Sequence, residues 1–385
     1  MIERIRTYCL EHSLDKPFGF SQWFYNKRHS LVVEITDSSG AIGYGECYGP
    51  ALVTQTAIDN IYAPLIIGDD PLLNEVIWQK CWKSTLDFAV SGVMMGGMSG
   101  IDMALLDLKG KLLNINTSTL MGGSVRTSLQ GYATGMYFDN DSDKNLIKKI
   151  IKEAEGYIDA GFKALKIKIG KNINFDKALI KQIRSIFPDI KLMADANHAY
   201  DINEAIIIGK LLEENNYSWF EEPLSPTQLN LYSSLSNKLD IAVSAGESEQ
   251  TRWGFQKMLD CKAVTIIQPD MAYCGGPSEA LKIRSIASSY GINTIPHCWG
   301  TQLNLSCAAH FLSTSMIEPG RNEEPLLMLE VDHTPNPLRD DIFNNKVIIT
   351  KGNVQVPDEP GLGVEINLDA MLKFCIHQTE KMNGK

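Results

Sequence analysis

The chain has 385 residues, 44% of them hydrophobic and 21% charged, so it can bury a full-sized core in one large and one smaller domain. Its formal net charge of −10 argues against nucleic-acid binding, which depends on clustered lysines and arginines. The N-terminus lacks the apolar stretch of a signal peptide, no long apolar run follows, and the eight cysteines form no C-x-x-C pair. We therefore expect reduced thiols, no membrane span and a cytoplasmic location.

The first third of the chain predicts an α+β module. Residues 31–44 alternate apolar and polar side chains around a Ser-Ser-Gly turn, which predicts an antiparallel hairpin. Farther along, apolar residues recur at spacings of three and four and predict a helix with one apolar face: Ile101, Ala104, Leu105, Leu108 and Leu112. We place this capping domain at residues 1–125. The segment VPDEPGLGVEIN near the other end of the chain resembles a β segment returning to it, so we expect residues 356–385 to complete the domain.

Strands and helices alternate in the rest of the chain. Either Asp141 or Ser142 can cap a helix that ends at Gly161, and another helix runs over about residues 175–187. Short apolar segments between polar or glycine-containing turns predict the strands ALKIKI, IKLMAD, YSWFEEP, IAVSAGE, AVTIIQPD, INTIP and LLMLE. So many alternating units predict a (β/α) barrel at residues 126–355. A doubly wound sheet is the alternative, but no G-x-G-x-x-G motif follows the first strands.

Acidic residues end successive predicted strands at nearly constant intervals. Asp195, Glu221 and Glu247 are spaced by 26 residues each, Asp270 comes 23 residues later and His297 another 27. Because the C-terminal strand ends of a barrel converge on one mouth, these side chains would share a cavity. Three carboxylates in one cavity require a cation, and an all-oxygen set favours Mg²⁺. The alternative is that each residue is a helix cap or a solvated loop residue.

A lysine pair and a histidine accompany these carboxylates. Lys166 and Lys168 share one face of the strand before Asp195. Their crowding lowers the pKa of one and makes it a candidate general base, unless the strand is a solvated edge. Asp270 can accept the Nδ1–H of His297 and orient it as a second acid or base. Lysine, histidine and metal together are typical of proton removal α to a carboxylate, through an enediolate.

These residues together resemble the enolase superfamily, specifically its mandelate racemase subgroup. The motifs that carry the resemblance are Lys166-x-Lys168, Asp195-x-Asn197, Glu221-Glu222-Pro223, Gly246-Glu247, Asp270 and His297. Further segments resemble that family's capping domain and its C-terminal return: Gly43-Tyr44-Gly45-Glu46, Leu120-Met121-Gly122-Gly123 and Pro360-Gly361-Leu362-Gly363. The resemblance implies an α/β fold, a modified TIM (β/α)7β barrel with an α+β N-terminal capping domain that C-terminal residues complete.

The resemblance also implies a role for each residue. The Mg²⁺ ligands would be Asp195, Glu221 and Glu247. Lys168 would be the base on one face of a small carboxylate substrate, with Lys166 contacting the carboxylate and lowering the pKa of Lys168. His297, oriented by Asp270, would serve the other face.

Other residues would complete the mouth. Asn197 would lie near substrate oxygens, and Glu330, closing LLMLE, would hydrogen-bond the substrate carboxylate as a protonated acid with a raised pKa. Glu330 could equally be a strand-end cap, with Glu323 and Glu324 as alternatives. In the loop of residues 18–28, either substrate recognition or packing explains Trp23, Tyr25 and Arg28.

The predicted reaction is dehydration of a sugar acid, an aldonate or aldarate, to a 2-keto-3-deoxy acid. The same two bases also suit a racemase or epimerase. A third hypothesis is that the protein is no enzyme but a catalytically silent relative that binds a small carboxylate. By the same resemblance we expect a homo-oligomer, either a dimer or an octamer.

Overall fold

A computed structural model describes residues 1–315 and 327–382. It begins with a four-stranded antiparallel sheet, in which the last strand of the chain lies on the outer side of the first. Its strands are β1 (Ile2–Gly19), β2 (Phe24–Asp37), β3 (Ile42–Cys47) and the C-terminal segment Cys375–Met382. The predicted hairpin at residues 31–44 is confirmed by the pairing of β2 with β3. Sequence reasoning missed the long β1.

Helices cover one face of this sheet. They are α1 (Ala51–Ala57), a π-helical segment (Ile58–Tyr62), α2 (Ala63–Ile66), α3 (Asn74–Thr85), α4 (Val93–Leu113) and α5 (Thr117–Leu120). The longest, α4, lies directly against β3. A Cβ atom on Gly43 would lie 2.2 Å from the carbonyl oxygen of Ala104, and one on Gly45 would lie 2.1 Å from that of Gly100. Alternate glycines in β3 therefore allow the helix backbone to approach the strand.

Among the described residues of the second part of the chain, eight parallel strands alternate with seven helices. The strands are β4 (Ser128–Thr134), β5 (Ala164–Lys168), β6 (Lys191–Asp195), β7 (Trp219–Glu221), β8 (Ala242–Ala245), β9 (Ile266–Ile267), β10 (Asn293–Thr294) and β11 (Met328–Asp332). The helices are α6 (Asp143–Asp159), α7 (Ile173–Ile186), α8 (Ile202–Glu214), α9 (Leu229–Ser236), α10 (Thr251–Asp260), α11 (Pro277–Ser289) and α12 (Gln302–Ser313). This is the predicted (β/α)7β order. No helix in the described ranges is long and apolar enough to span a membrane.

The first and last strands of this series are neighbours, because β4 pairs in parallel with both β5 and β11. Side chains of alternate strand residues fill its interior below the mouth, where the rings of Tyr132 and Trp219 meet edge to face at 5.4 Å. On β5 the residues that share this inward face are Ala164, Lys166 and Lys168. The lysines therefore rise above a packed aromatic floor toward the C-terminal strand ends.

The chain returns to the first sheet after the barrel. The remaining elements are α13 (Pro337–Asp340), β12 (Phe343–Asn345), β13 (Ile349–Thr350), β14 (Asn353–Gln355), β15 (Glu365–Ile366), α14 (Leu368–Leu372) and β16 (Cys375–Met382). Only β16 joins the capping sheet, by pairing with β1. Within VPDEPGLGVEIN, β15 pairs with β12, while the Leu362 N–H donates to Asp107 of α4 at 2.8 Å. The segment thus packs on the end of a capping helix and adds no strand to the sheet. The domain boundaries at residues 125 and 355 stay predictions.

One carboxylate fastens the capping sheet to the barrel. Glu46, in β3, is buried and accepts hydrogen bonds from the backbone N–H of Thr301 at 3.0 Å and from its hydroxyl at 2.7 Å. It also accepts the hydroxyl of Ser30 at 2.9 Å and the N–H of Asn304 at 3.3 Å. Because Thr301 is the N-cap of α12, the carboxylate satisfies donors at a helix start and holds the sheet over the barrel mouth.

Candidate active site

Three carboxylates converge at the mouth of the barrel. Asp195 ends β6, Glu221 ends β7 and Glu247 follows β8 by two residues, and one oxygen from each lies within 4.8 Å of the others. Asp195 and Glu221 are fully buried, and the side chain of Glu247 is 18% exposed. This is the convergence that the 26-residue spacing predicts.

The buried pair of carboxylates is held in place by neighbouring donors. Asp195 Oδ1 accepts the backbone N–H of Asn197 at 2.9 Å. Glu221 Oε2 accepts the indole N–H of Trp219 at 2.9 Å and the amide of Gln268 at 2.7 Å. Burial and the nearby Asp195 raise the pKa of Glu221 to about 7, although Lys166 lowers it. The carboxylates of the triad repel one another, and their oxygens are held in fixed orientations. Such a set of oxygens fits a hard divalent cation such as Mg²⁺.

Both predicted lysines contact the triad. Lys168 Nζ lies 2.5 Å from Asp195 Oδ2 and 2.8 Å from Asn197 Oδ1. Lys166 Nζ lies 2.5 Å from Glu221 Oε1 and 2.8 Å from Glu330 Oε1. Burial is the largest influence on the pKa of Lys168 and lowers it, but Asp195, Tyr137 and Glu247 together raise it by more than burial and Lys166 lower it, so the net shift is upward. The expected lowering of that pKa by Lys166 is therefore outweighed by a carboxylate on the next strand.

The histidine and its aspartate meet as predicted. His297 Nδ1 lies 2.6 Å from Asp270 Oδ2, and its Nε2 lies 3.5 Å from Glu247 Oε2. Burial lowers the pKa of His297, but Glu247, Glu330 and Asp270 raise it to about 10. The imidazole thus stands beside one member of the triad, while Lys168 stands beside another.

Glu330 lies inside the barrel mouth but differs from its expected state. Besides Lys166, its carboxylate accepts the backbone N–H of Cys298 at 3.0 Å. Burial raises the pKa of Glu330, but Lys166, His297 and these hydrogen bonds lower it, and the net shift is downward. In this arrangement Glu330 is an ionised partner of Lys166 and not a protonated acid. The alternatives Glu323 and Glu324 lie outside the described residues.

The segment of residues 18–28, expected to be a loop, is mostly strand: residues 20–23 connect β1 to β2, and Tyr25 and Arg28 belong to β2. Its three predicted residues differ in position. Arg28 is 2% exposed and pairs with Asp332 at 3.2 Å, so its charge is engaged by the protein. Tyr25 packs on Trp299 with ring centroids 5.1 Å apart. Trp23 is 61% exposed. Substrate contact by these residues stays a prediction.

Hydrogen bonds attach the connecting loop of residues 20–23 to the site. The hydroxyl of Ser21 donates to the backbone oxygens of Ala196 and Asn197 at 2.9 and 3.0 Å, and the amide of Gln22 donates to that of Asn197 at 2.6 Å. The loop is thereby joined to the residues directly after Asp195.

Sequence reasoning missed two aromatic residues. The ring centroid of Tyr137 lies 5.0 Å from Lys168 Nζ, and Trp299 lies two residues after His297. Both follow barrel strands, so position after a strand end was the available signal. A cavity with a lysine on one side, a histidine on the other and three carboxylates between them can bind a cation and move protons at two points.

Comparison with known families agrees with this geometry. Residues 4–122 match the model of the mandelate racemase / muconate lactonizing enzyme N-terminal domain, and residues 149–370 match the enolase C-terminal domain-like model. The chain belongs to the mandelate racemase/muconate lactonizing enzyme family of the enolase superfamily.

Several members of this family are similar over nearly the whole chain. D-galactarolactone cycloisomerase from Agrobacterium fabrum is 38% identical, with 97% of this chain and 98% of the relative covered. Arabinonate dehydratase from Saccharolobus solfataricus is 34% identical, with 95% and 97% covered. The crystal structure of 3,6-anhydro-D-galactonate cycloisomerase from Zobellia galactanivorans is 37% identical, has a TM-score of 0.88, and covers 98% of this chain and 99% of its own.

Proposed function

We propose that the protein is a Mg²⁺-dependent enzyme that removes the proton α to the carboxylate of a sugar acid. One observation carries the proposal: Lys168 contacts Asp195, and His297 lies 3.5 Å from Glu247, so two proton-transfer groups stand at different members of one carboxylate triad. A substrate carboxylate held at this triad would place its α-carbon between them. The names of the relatives support a sugar acid as the substrate.

The residues of the chain have separate tasks in this scheme. Asp195, Glu221 and Glu247 would hold the cation, which supplies positive charge where negative charge develops on the substrate carboxylate. Asp270 holds the Nδ1–H of His297, which leaves Nε2 to accept or return a proton.

The other proton-transfer group is held by different neighbours. Lys168 exchanges a proton at Nζ, where Asn197 Oδ1 orients it. The ammonium group of Lys166 forms ion pairs with Glu221 and Glu330 and would lie beneath the substrate.

We further propose that loss of the α-proton is followed by departure of an oxygen from the β-carbon. The α C–H and β C–O bonds break, and the resulting enol becomes a 2-keto-3-deoxy acid. If the oxygen belongs to a hydroxyl, water leaves and the reaction is a dehydration, which we favour. If it belongs to a ring, the ring opens without loss of atoms and the reaction is an isomerisation. The two cycloisomerases at 38% and 37% identity support this second candidate.

A single panel in D₂O tests these proposals. Purified protein with Mg²⁺ is incubated with open-chain aldonates and aldarates and with their lactones and anhydro forms. A 2-keto acid carrying deuterium at C3 supports β-elimination, and the open-chain or cyclic nature of the active substrate distinguishes dehydration from ring opening. Deuterium at the α-carbon with inverted configuration and no keto acid would instead indicate an epimerase. Absence of exchange with every acid would contradict the proposed chemistry and favour a silent carboxylate-binding protein.

Matched variants connect the outcome to the site. Lys168→Ala and His297→Asn should each lower turnover by about 100-fold or more, the usual contribution of a general acid or base. Glu214→Gln, on the exposed end of α8, should retain wild-type activity. The homo-oligomer, dimer or octamer, and the cytoplasmic location stay predictions; light scattering measures the first.

A further inference from the structure

A cavity of about 180 Å³ lies between the capping sheet and the barrel. It adjoins the proposed site, because Tyr48 in its wall lies 6.3 Å from the imidazole of His297, measured between ring centroids. Its wall includes Tyr25, Lys27, Arg28, His29, Tyr48 and Trp299. A sugar acid bound by its carboxylate at the triad would extend its far end toward this cavity.

Every basic side chain in this wall has a carboxylate oxygen within 4.0 Å. Lys27 Nζ lies 2.5 Å from Glu11 Oε1, and His29 Nδ1 lies 3.6 Å from the other oxygen of Glu11. Arg28 Nη2 lies 3.2 Å from Asp332 Oδ2. The buried carboxylate of Glu46 also lines the cavity. At the inner end of the cavity, where Arg28 and Glu46 are buried, a second substrate carboxylate would therefore meet no uncommitted positive charge among the described residues, which is costly.

The same wall offers a neutral donor. The indole Nε1–H of Trp299 is buried and has no hydrogen-bond partner among the residues described. Its ring is fixed by the guanidinium of Arg28, 3.9 Å from the ring centroid, and by the ring of Tyr25 at 5.1 Å. A buried donor without an acceptor is destabilising, and an acceptor on a ligand removes this cost.

We propose that Trp299 donates a hydrogen bond to a neutral oxygen at the far end of the sugar acid, so that the enzyme selects monocarboxylic over dicarboxylic sugar acids. Arg28 is then a positioning residue that acts through Trp299. This inference rests on the proposed function, since it takes the reacting carboxylate to bind at the triad. It narrows the aldonate-or-aldarate prediction to aldonates and their cyclic forms.

Three acids that differ at one carbon test the selection. Galactonate, 6-deoxygalactonate and galactarate share their configuration but end in a hydroxyl, a methyl and a carboxylate. Their dissociation constants are measured by calorimetry on the Lys168→Ala variant with Mg²⁺, which needs no turnover, and kcat/KM is measured on the wild type. The hydroxyl form should bind about 10-fold or more tightly than either of the others. Equal or tighter binding of galactarate, or no binding of galactonate, would overturn the proposal.

A conservative variant isolates the indole N–H. Trp299→Phe retains a ring for Arg28 but removes the donor, so the preference for galactonate over 6-deoxygalactonate should fall close to 1, with KM affected more than kcat. Trp253→Phe, at a partly exposed tryptophan stacked on Trp82, should leave the preference unchanged. An unchanged preference in Trp299→Phe would overturn the role of the indole. Turnover of any sugar acid tests the proposed function separately, because the binding ratios do not depend on it.

Variants of Arg28 test its positioning role separately. Arg28→Ala should lower the same hydroxyl preference as Trp299→Phe, and Arg28→Lys should restore part of it because an ammonium can also lie over the indole. A purely structural role would lower stability without changing the ratio between the two acids, and that result would remove Arg28 from the proposal.

Discussion

His297 Nδ1 lies 2.6 Å from Asp270 Oδ2, and a backbone bridge joins the same two residues at the ends of neighbouring strand segments. The side-chain amide of Asn304 lies 3.2 Å from the other oxygen of Asp270 and restrains the carboxylate. Both the backbone bridge and the side-chain contact with Asp270 therefore restrain the orientation of the imidazole. Its Nε2 is left toward Glu247, where a substrate proton would be exchanged.

Replacing the carboxylate of this pair should impair proton transfer. In Asp270→Asn the remaining oxygen is held by the backbone N–H of Ala272, so an NH2 donor faces Nδ1 of the imidazole, and the negative charge that raises the pKa of His297 is lost. We expect kcat to fall about 100-fold and the pKa of His297, followed by NMR, to drop below its value of about 10. Asp189→Asn, in an exposed turn, is the control. Wild-type rate and titration in Asp270→Asn would contradict the assignment of the pair.

Metal affinity should depend on a residue that touches no metal. Gln268 and Trp219 hold Glu221 Oε2, so Gln268→Leu should free this carboxylate to rotate. We expect Mg²⁺ affinity, measured by calorimetry, to fall about 10- to 100-fold, and more in Glu221→Gln. Chelation should abolish activity in the wild type, and added Mg²⁺ should restore it. Unchanged affinity in both variants would mean that the cation binds elsewhere; Glu214→Gln serves as the matched control.

A buried histidine away from the mouth should make stability depend on pH. His310 Nδ1 accepts the N–H of Ser118 at 3.2 Å, and its Nε2 lies 3.2 Å from the oxygen of Leu362, as a neutral tautomer requires. Burial lowers the pKa of His310 to about 4. The unfolded chain, with a pKa near 6.5, binds the proton first, so this stability is present above pH 6.5 and is lost as pH falls toward 4.

The size of that effect follows from the shift. Between pH 7.5 and 5, wild type should lose about 2 kcal/mol more free energy of unfolding than His310→Gln, measured by urea titration at each pH. The variant is the reference because it retains a donor toward Leu362 but has no group that titrates in this range. Parallel pH curves for the two proteins would show that His310 does not carry the dependence.

Glu46 should matter for stability more than for chemistry. Glu46→Ala leaves the buried donors of Thr301 and Ser30 without their acceptor, so we expect a loss of about 3 kcal/mol in the free energy of unfolding. Glu46→Gln keeps one acceptor oxygen and should lose less. Denaturant titration of the three proteins measures this order. If the alanine variant were as stable as wild type, the carboxylate would not fasten the capping sheet to the barrel.

The sequence predicted the carboxylate triad well because strand–helix units of a barrel have nearly constant length. A 26-residue interval therefore carries Asp195, Glu221 and Glu247 to the same height. The pKa of Lys168 could not be predicted in the same way. Spacing along one strand shows its neighbour Lys166, whereas the larger effect comes through space from Asp195 on the next strand.

The first strand was missed for a different physical reason. Along β1, Tyr8 and Leu10 pack with the barrel side of the core, while Ile5 and Cys9 pack with the capping helices. Because both faces are buried, the alternation of apolar and polar residues that reveals a half-exposed strand is absent. Trp299 lies on a loop, where no periodicity reveals which way a side chain turns.

The pairing of β1 with β16 has a consequence for synthesis. The ribosome makes the first strand of the capping sheet before the whole barrel, and its edge partner, Cys375–Met382, only afterwards. During translation the long β1 therefore exposes an unpaired edge, which is a template for pairing with other chains. We expect nascent chains to need protection of this edge until the last strand emerges, so that the capping domain, though begun first, is finished last.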